Sequence, residues 1–236
     1  DLVGLQDGAK YFFRVDVLVG KACISSDINS FITFPLGPID LDLPSGNKWA
    51  SHNLGANKPT DAGLYIAWGE TAEKTNYSWE GYVYCNEGNR NELTKYTTRR
   101  LTAYLGKVDN LVSLDQMDDA AYIILGSNWV TPSYKDWIEL IDNCIITKGE
   151  FNGLLGCKIT SKKDPNNLKK CIFLPSQHGY YDTTSIRDDY SNSYYWSSTL
   201  SSDDQSALSF QIRSAGKVAE SRGPRCFGEL IRPVCK

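Results

Sequence analysis

Histidine and methionine are almost absent from this sequence: 236 residues contain His52, His178 and the single Met117. With so few imidazoles, and with no HExxH, GxSxG, Walker or GxGxxG pattern, the common zinc-protease, esterase and nucleotide-binding templates are excluded. His178 has Ser176 and Asp182 nearby in sequence, but triad members usually converge from distant segments. No nucleophile elbow accompanies it, so it reads as a loop histidine and no catalytic residue is assigned. A basic excess is missing too. The 25 Lys and Arg against 28 Asp and Glu leave a net charge of -3, which argues against a nucleic-acid partner. No apolar run reaches the length of a membrane helix, and Asp1 opens no signal peptide. The chain starts without Met and in mid-pattern, so the expectation is a processed or excised piece whose export signal, and any membrane anchor, lay upstream.

Paired cysteine spacing is also lacking. Cys23, Cys85, Cys144, Cys157, Cys171, Cys226 and Cys235 are scattered with no CxxC among them, so neither a zinc finger nor another metal site is expected. The odd number leaves at least one thiol unpaired within a monomer. Buried free thiols acting as small hydrophobes are the simplest reading, and a Cys157–Cys171 bridge between neighbouring strands is the alternative in an oxidising compartment.

What is present favours a folded, turn-rich chain. The hydrophobic fraction is 41%, with 19 Gly, 14 Tyr and 6 Trp, enough for a core and weighted toward β structure. Tyr11 to Val19 and Ser30 to Phe34 alternate as two strands, with Asp27 to Asn29 as turn material. Preceded by Gly4-Leu5-Gln6-Asp7-Gly8, they resemble the last two strands of a fibronectin type III module, a resemblance covering about the first 35 residues. Such a hairpin remnant is marginal alone and is expected to pack on the main domain or complete itself otherwise. Leu36-Gly37-Pro38 reads as a boundary, dividing the chain into residues 1–36 and 37–236.

Beyond it, Asp40-Leu-Asp-Leu-Pro-Ser-Gly-Asn-Lys-Trp-Ala50, Asn53-Leu-Gly-Ala56 and Ala67-Trp-Gly-Glu70 follow one another in order. Lys158-Ile-Thr-Ser161 and Ile172-Phe-Leu-Pro175 come later. Together they resemble the FISUMP-type major paralogous domain of bacterial surface proteins, from about Ile39 to Val234. The resemblance implies an α+β fold of C-type-lectin type, related to the formylglycine-generating enzymes, with two helices packed on twisted antiparallel sheets. The residues themselves predict a long irregular insertion over Tyr77 to Leu111 and a helix over Asp115 to Leu125, capped by Asp115 and ended by Gly126. A second helix is capped by Thr131 with Pro132 at its first position, its apolar stripe being Trp137, Leu140, Ile141 and Cys144. Leu154 to Thr160 and Lys170 to Leu174 read as a hairpin.

The carboxylate pairs Asp118-Asp119, Asp188-Asp189 and Asp203-Asp204 are neighbours in sequence, and such side chains point apart on regular structure. Calcium loops of the sugar-binding C-type lectins have no counterpart here, so that activity does not carry over. The oxidase branch of the resembled fold uses two closely spaced C-terminal cysteines. Cys226 and Cys235 are the candidates, and a copper-dependent oxidase stands as an alternative. Tyr194-Tyr195-Trp196-Ser197-Ser198-Thr199 and Ile231-Arg232-Pro233-Val234 read as framework, with Trp196 a core anchor. Between them Leu208, Phe210 and Ile212 alternate with Ala207, Ser209, Gln211 and Arg213, so the second set is expected on a free face. Candidate ligand-binding residues are Ser202, Asp203, Asp204, Gln205, Ser209, Gln211, Arg213, Lys217, Glu220, Arg222 and Arg225. Gly228 is followed by Glu229 where the resemblance implies an aromatic, so Glu229 is expected to face outward or to mark a register change. The expected function is a non-enzymatic ligand-binding domain, without cofactor, at the outer surface of a bacterium and meeting an extracellular protein or glycan. The resemblance also implies a segment open to diversification by retroelements. A structural module of a surface fibre, assembled through the N-terminal strands, is the third reading.

Overall fold

The computed structural model describes residues 10–20, 22–32, 37–151, 153–176, 192–213 and 216–236. The Gly4 to Gly8 lead-in, the end of the strand at Phe34, His178 with Asp182, the Asp188-Asp189 pair and the turn at Ser214 lie outside the described residues. β1 (Lys10–Phe13), β2 (Asp16–Val19), β3 (Ala22–Ser25) and β4 (Asn29–Ile32) come first. Antiparallel pairing of β1 with β4 and of β2 with β3 makes two small two-stranded sheets, together the N-terminal ribbon. The expected first strand is thus broken at Arg14-Val15, and β3, which sequence alternation did not suggest, supplies the partner of β2. Val15, Val17, Leu18, Val19, Ile24 and Ile28 remain exposed.

Small strands and loops follow: β5 (Pro38–Ile39), β6 (Lys48–Ala50), β7 (Ile66–Ala67), β8 (Cys85–Asn86) and β9 (Asn89–Leu93). Then come α1 (Ala120–Leu125), β10 (Trp129–Val130), α2 (Tyr134–Asn143), β11 (Cys144–Phe151), β12 (Leu154–Ser161) and β13 (Cys171–Pro175). The last part holds β14 (Asn192–Leu200), β15 (Ser206–Arg213), β16 (Lys217–Pro224), β17 (Gly228–Glu229) and β18 (Val234–Cys235). Two three-stranded antiparallel sheets, β11-β12-β13 and β14-β15-β16, dominate. A four-stranded sheet, β10-β18-β6-β5, ties the end of the chain to its middle.

This corrects the expected fold class. The described residues are mostly β, 40% strand against 14% helix, in many small sheets, and a C-type-lectin-like α+β fold is not what they show. The helices are shorter than the sequence pattern suggested, because side chains near their starts are claimed elsewhere. Asp118 gives its carboxylate to Lys95 Nζ and the Tyr96 hydroxyl, both at 2.5 Å. Asp119 leaves helical geometry and caps α1 through Ala121 N, so only Ala120–Leu125 is α-helical. Thr131 donates its own N–H and hydroxyl to Asp119, and the cap of α2 passes to Ser133, which forms a reciprocal capping box with Asp136. Cys144, expected on the helical stripe, opens β11 instead.

The main core lies where α2 and the two large sheets meet. Trp137 stacks on Phe210 with ring centroids 4.9 Å apart and meets Trp49 edge-on at 4.8 Å, with Ile159, Ile172, Tyr195, Ile212 and Val234 around them. A second cluster gathers Trp68, Tyr96, Trp196, Leu200 and Ala207. The β12–β13 register sets Cys157 opposite Leu174 and Cys171 opposite Thr160. Those cysteines are three rungs apart, which overturns the bridge considered from sequence, and all seven thiols are free.

Candidate functional site

The β14–β15 ladder is interrupted between Trp196 and Leu200, and this interruption organises the site. A bulge leaves backbone groups without ladder partners. Here the Trp196 and Ser197 carbonyls accept the indole N–H groups of Trp137 at 3.3 Å and Trp68 at 2.8 Å. The Trp196 indole in turn donates to Ile66 O at 2.8 Å, so Trp196 is a core anchor. Past the bulge, Leu200, Ser201 and Ser202 form one wall of an open cleft of about 710 Å³. Leu208 of β15 and Glu220, Ser221 and Arg222 of β16 complete it.

The cleft carries both charges. Glu220 Oε2 accepts from the Tyr134 hydroxyl at 2.9 Å, which raises the tyrosine pKa chiefly through that bond and fixes the carboxylate against α2. Arg222 lies 3.9 Å from Asp203, a loose exposed pair worth under about 1 kcal/mol and easily exchanged for a ligand group. Asp203 also accepts from Ser206 N at 2.8 Å, so the turn that carries it is fixed. An apolar floor of Leu200 and Leu208, with an acid, a base and serine hydroxyls at the walls, suits an amphipathic ligand held by directed hydrogen bonds.

The eleven residues singled out from sequence do not form one site. Ser202, Glu220 and Arg222 line the cleft and Asp203 stands at its rim. Gln211, Arg213 and Lys217 lie at the far end of the same sheet, where Arg213 faces Lys217 and Gln211 faces Ala219. Gln205 is spent on Asn91 Oδ1 at 2.8 Å. Three are buried, contrary to expectation: Asp204, Ser209 and Arg225. Asp204 accepts from Thr98 N, Thr98 Oγ1, Arg99 N and Thr102 Oγ1 at 2.6 to 2.9 Å. Burial alone would raise its pKa, but these bonds outweigh it and hold the carboxyl below its ordinary value. Arg225 donates to Tyr82 Oη, Tyr96 O, Asp204 O and Lys95 O, with the rings of Trp68, Tyr82 and Tyr96 around its guanidinium. Asp204, Gln205 and Arg225 therefore fasten the 77–111 insertion to the C-terminal segment.

The face expected to be free is covered near Ser209. Phe210 and Ile212 do enter the core, but Ala207 enters the second core on the opposite side, Ser209 is buried beside Glu229, and half-buried Leu208 floors the cleft. Glu229 neither faces outward nor shifts the register: it pairs with Ile66 and points inside. Burial pushes its carboxyl up to about 8, with the neighbouring Ser209 hydroxyl offsetting only part of that rise. Leu200, Leu208 and Tyr134 were not anticipated as site residues. Only the apolar-to-polar change at Leu200-Ser201-Ser202 hinted at the edge of the cleft.

The other chemistry considered from sequence lands elsewhere. His52 Nδ1 lies 2.9 Å from Ser51 Oγ, and burial, then Arg232, lowers its pKa. Cys226 sits with Ala67, Tyr77 and Tyr82, whereas Cys235 pairs with Lys48 and Trp129 across β18. Burial pushes the Cys226 thiol up to about 12, which opposes the thiolate a metal would need. Among the described residues no group of three or more His, Cys, Asp or Glu could hold a metal, and no helix is long and apolar enough to cross a membrane. No family model, no curated protein and no solved structure matches the chain.

Proposed function

We propose that the chain is a non-enzymatic binding domain, exported to the outer cell surface, that meets an extracellular protein or glycan at the cleft over β14, β15 and β16. The observation that carries this reading is the cleft itself, with Glu220 braced by Tyr134 and Arg222 loosely paired to Asp203 over a leucine floor. Support for export and surface location comes from the sequence resemblance to FISUMP-type surface domains. The cleft residues sit on strands and a pinned turn, so much of the cost of ordering a site is met before a ligand arrives.

A glycan and protein array probed with the folded domain tests the reading. Hits are expected to be lost in Arg222→Glu and Glu220→Lys and retained in Arg213→Ala. An array without hits, or hits indifferent to both cleft variants, would sink it. The exposed apolar side chains of the ribbon favour the fibre module as a second reading, in which residues 10–32 mediate assembly.

A further inference from the structure

Glu229 is the one buried acidic side chain of the C-terminal segment that no cation or backbone amide accounts for among the described residues. It is 3% exposed. Neither its Oε2 nor Ser209 Oγ has a hydrogen-bond partner, although the hydroxyl lies near enough to favour the charged carboxylate a little. Four elements close around it. β7 brings Ile66, its register partner; β14 brings Trp196, β15 brings Ser209, and β16 brings Gly223. A methyl group on Gly223 would stand 2.5 Å from Glu229 Oε1 and 3.2 Å from the Trp196 ring, so the missing Cβ is what gives the carboxyl its space. None of these four residues is charged or titrates in the ordinary range. The buried cations of the segment are committed elsewhere: Arg225 to Tyr82 and three carbonyls, Arg232 to Asn53, Ala50, Ser51 and Phe173.

The site has a defined relation to the cleft. Trp196, Ser209 and Ser221 are register partners, and the Glu229 carboxyl lies on the face of the sheet that Trp196 and Ser209 share. Leu208 and Arg222 are also partners and project to the other face, where the cleft opens. We propose that Glu229 is a proton-operated latch beneath the cleft: as a neutral acid it packs under β15 and β16, and on losing its proton it draws water and loosens β16 from β17, so that the strand carrying Arg222 and Glu220 loses its fixed position. An ionised carboxylate without a partner is too costly to keep dry. The latch stands on packing alone, and its consequence for a ligand rests on the cleft reading above.

Sign follows from burial. The folded protein holds the Glu229 proton up to about 8, whereas an unfolded glutamate releases it near 4.5. The latch is therefore closed below about pH 8 and opens above it. Carboxyl NMR of the ligand-free protein labelled at glutamate, with the Glu229 signal assigned by its loss in Glu229→Gln, should show titration near 8. Hydrogen exchange corrected for intrinsic base catalysis should show β15 and β16 amides losing protection by about tenfold or more between pH 6 and 9. In Glu229→Gln that loss should vanish. Glu229→Met, of similar volume and without a proton, serves if the amide variant fails to fold. Titration at the ordinary glutamate value, or the same loss of protection in both variants, overturns the latch. Because these readouts need no ligand, they are separate from the array experiment, which can fail while the latch stands.

Discussion

Arg225 and Arg232 lie wholly inside the protein, each satisfied by carbonyls, an amide or a hydroxyl instead of a carboxylate. Burial lowers the Arg232 pKa to about 10, still far above neutrality, so it stays charged and its four acceptors stay engaged. A guanidinium can serve acceptors spread over a plane, which an ammonium cannot. Arg225→Lys should therefore cost nearly as much as Arg225→Met, about 3 kcal/mol or more, because acceptors in the interior lose their donors. Urea unfolding checks this, with Arg213→Ala as an exposed control expected within about 0.5 kcal/mol of the parent. Asp204 gives a second residue-scale prediction. It holds the 98–102 loop, which contains the exposed pair Arg99-Arg100, through four bonds. Asp204→Ala should hasten tryptic cleavage there, whereas Asp203→Ala should not. The wild-type loop should also loosen in acid: a carboxyl held below its ordinary 3.8 contributes stability above that value and loses it as pH falls through the folded pKa. Equal cleavage rates in the two variants would remove Asp204 from this role.

At the scale of elements, the start of α2 separates what could be read in the sequence from what could not. Thr131-Pro132-Ser133 offers two candidate caps, and local rules favour Thr131 with Pro132 at the first helical position. The contest is decided by Asp119, twelve residues upstream, which takes the Thr131 N–H and hydroxyl. Ser133→Ala should accordingly cost about 1 kcal/mol through the lost capping box, measured by chemical denaturation. A smaller loss than in Thr131→Val would return the cap to Thr131, once the bond to Asp119 is allowed for. The Trp137 and Leu140 stripe, the β12–β13 hairpin and the Trp196 anchor were legible because period and apolar character are local signals. Burial of Asp204, Ser209 and Arg225 was not, since a polar run reads as surface until β7, β17 and the 77–111 insertion are known to cover it. The cleft was half legible: Glu220 and Arg222 stood out by charge, while Leu208 was assigned to the core because alternation shows which residues share a face but not where the cover on that face ends.

For the whole molecule, the contrast between residues 10–32 and the rest is one of cover. Val17 lies opposite Ile24 and Val19 opposite Ala22 on one face of β2–β3, and Val17, Val19 and Ile24 are 52%, 59% and 62% exposed. A two-stranded ribbon buries too little to be stable alone. Such a face lowers its free energy by meeting another, and a second copy of the chain brings the same apolar face to a two-fold contact. Among the described residues, the core around Trp137, Phe210 and Val234 takes no member from the ribbon. Sedimentation should thus show self-association that rises with concentration and disappears in Val17→Lys with Ile24→Lys, while the main thermal transition stays within a few degrees. Unchanged association in the double variant would place the contact elsewhere. A main transition that falls steeply would instead mean that the ribbon packs on the body of the protein.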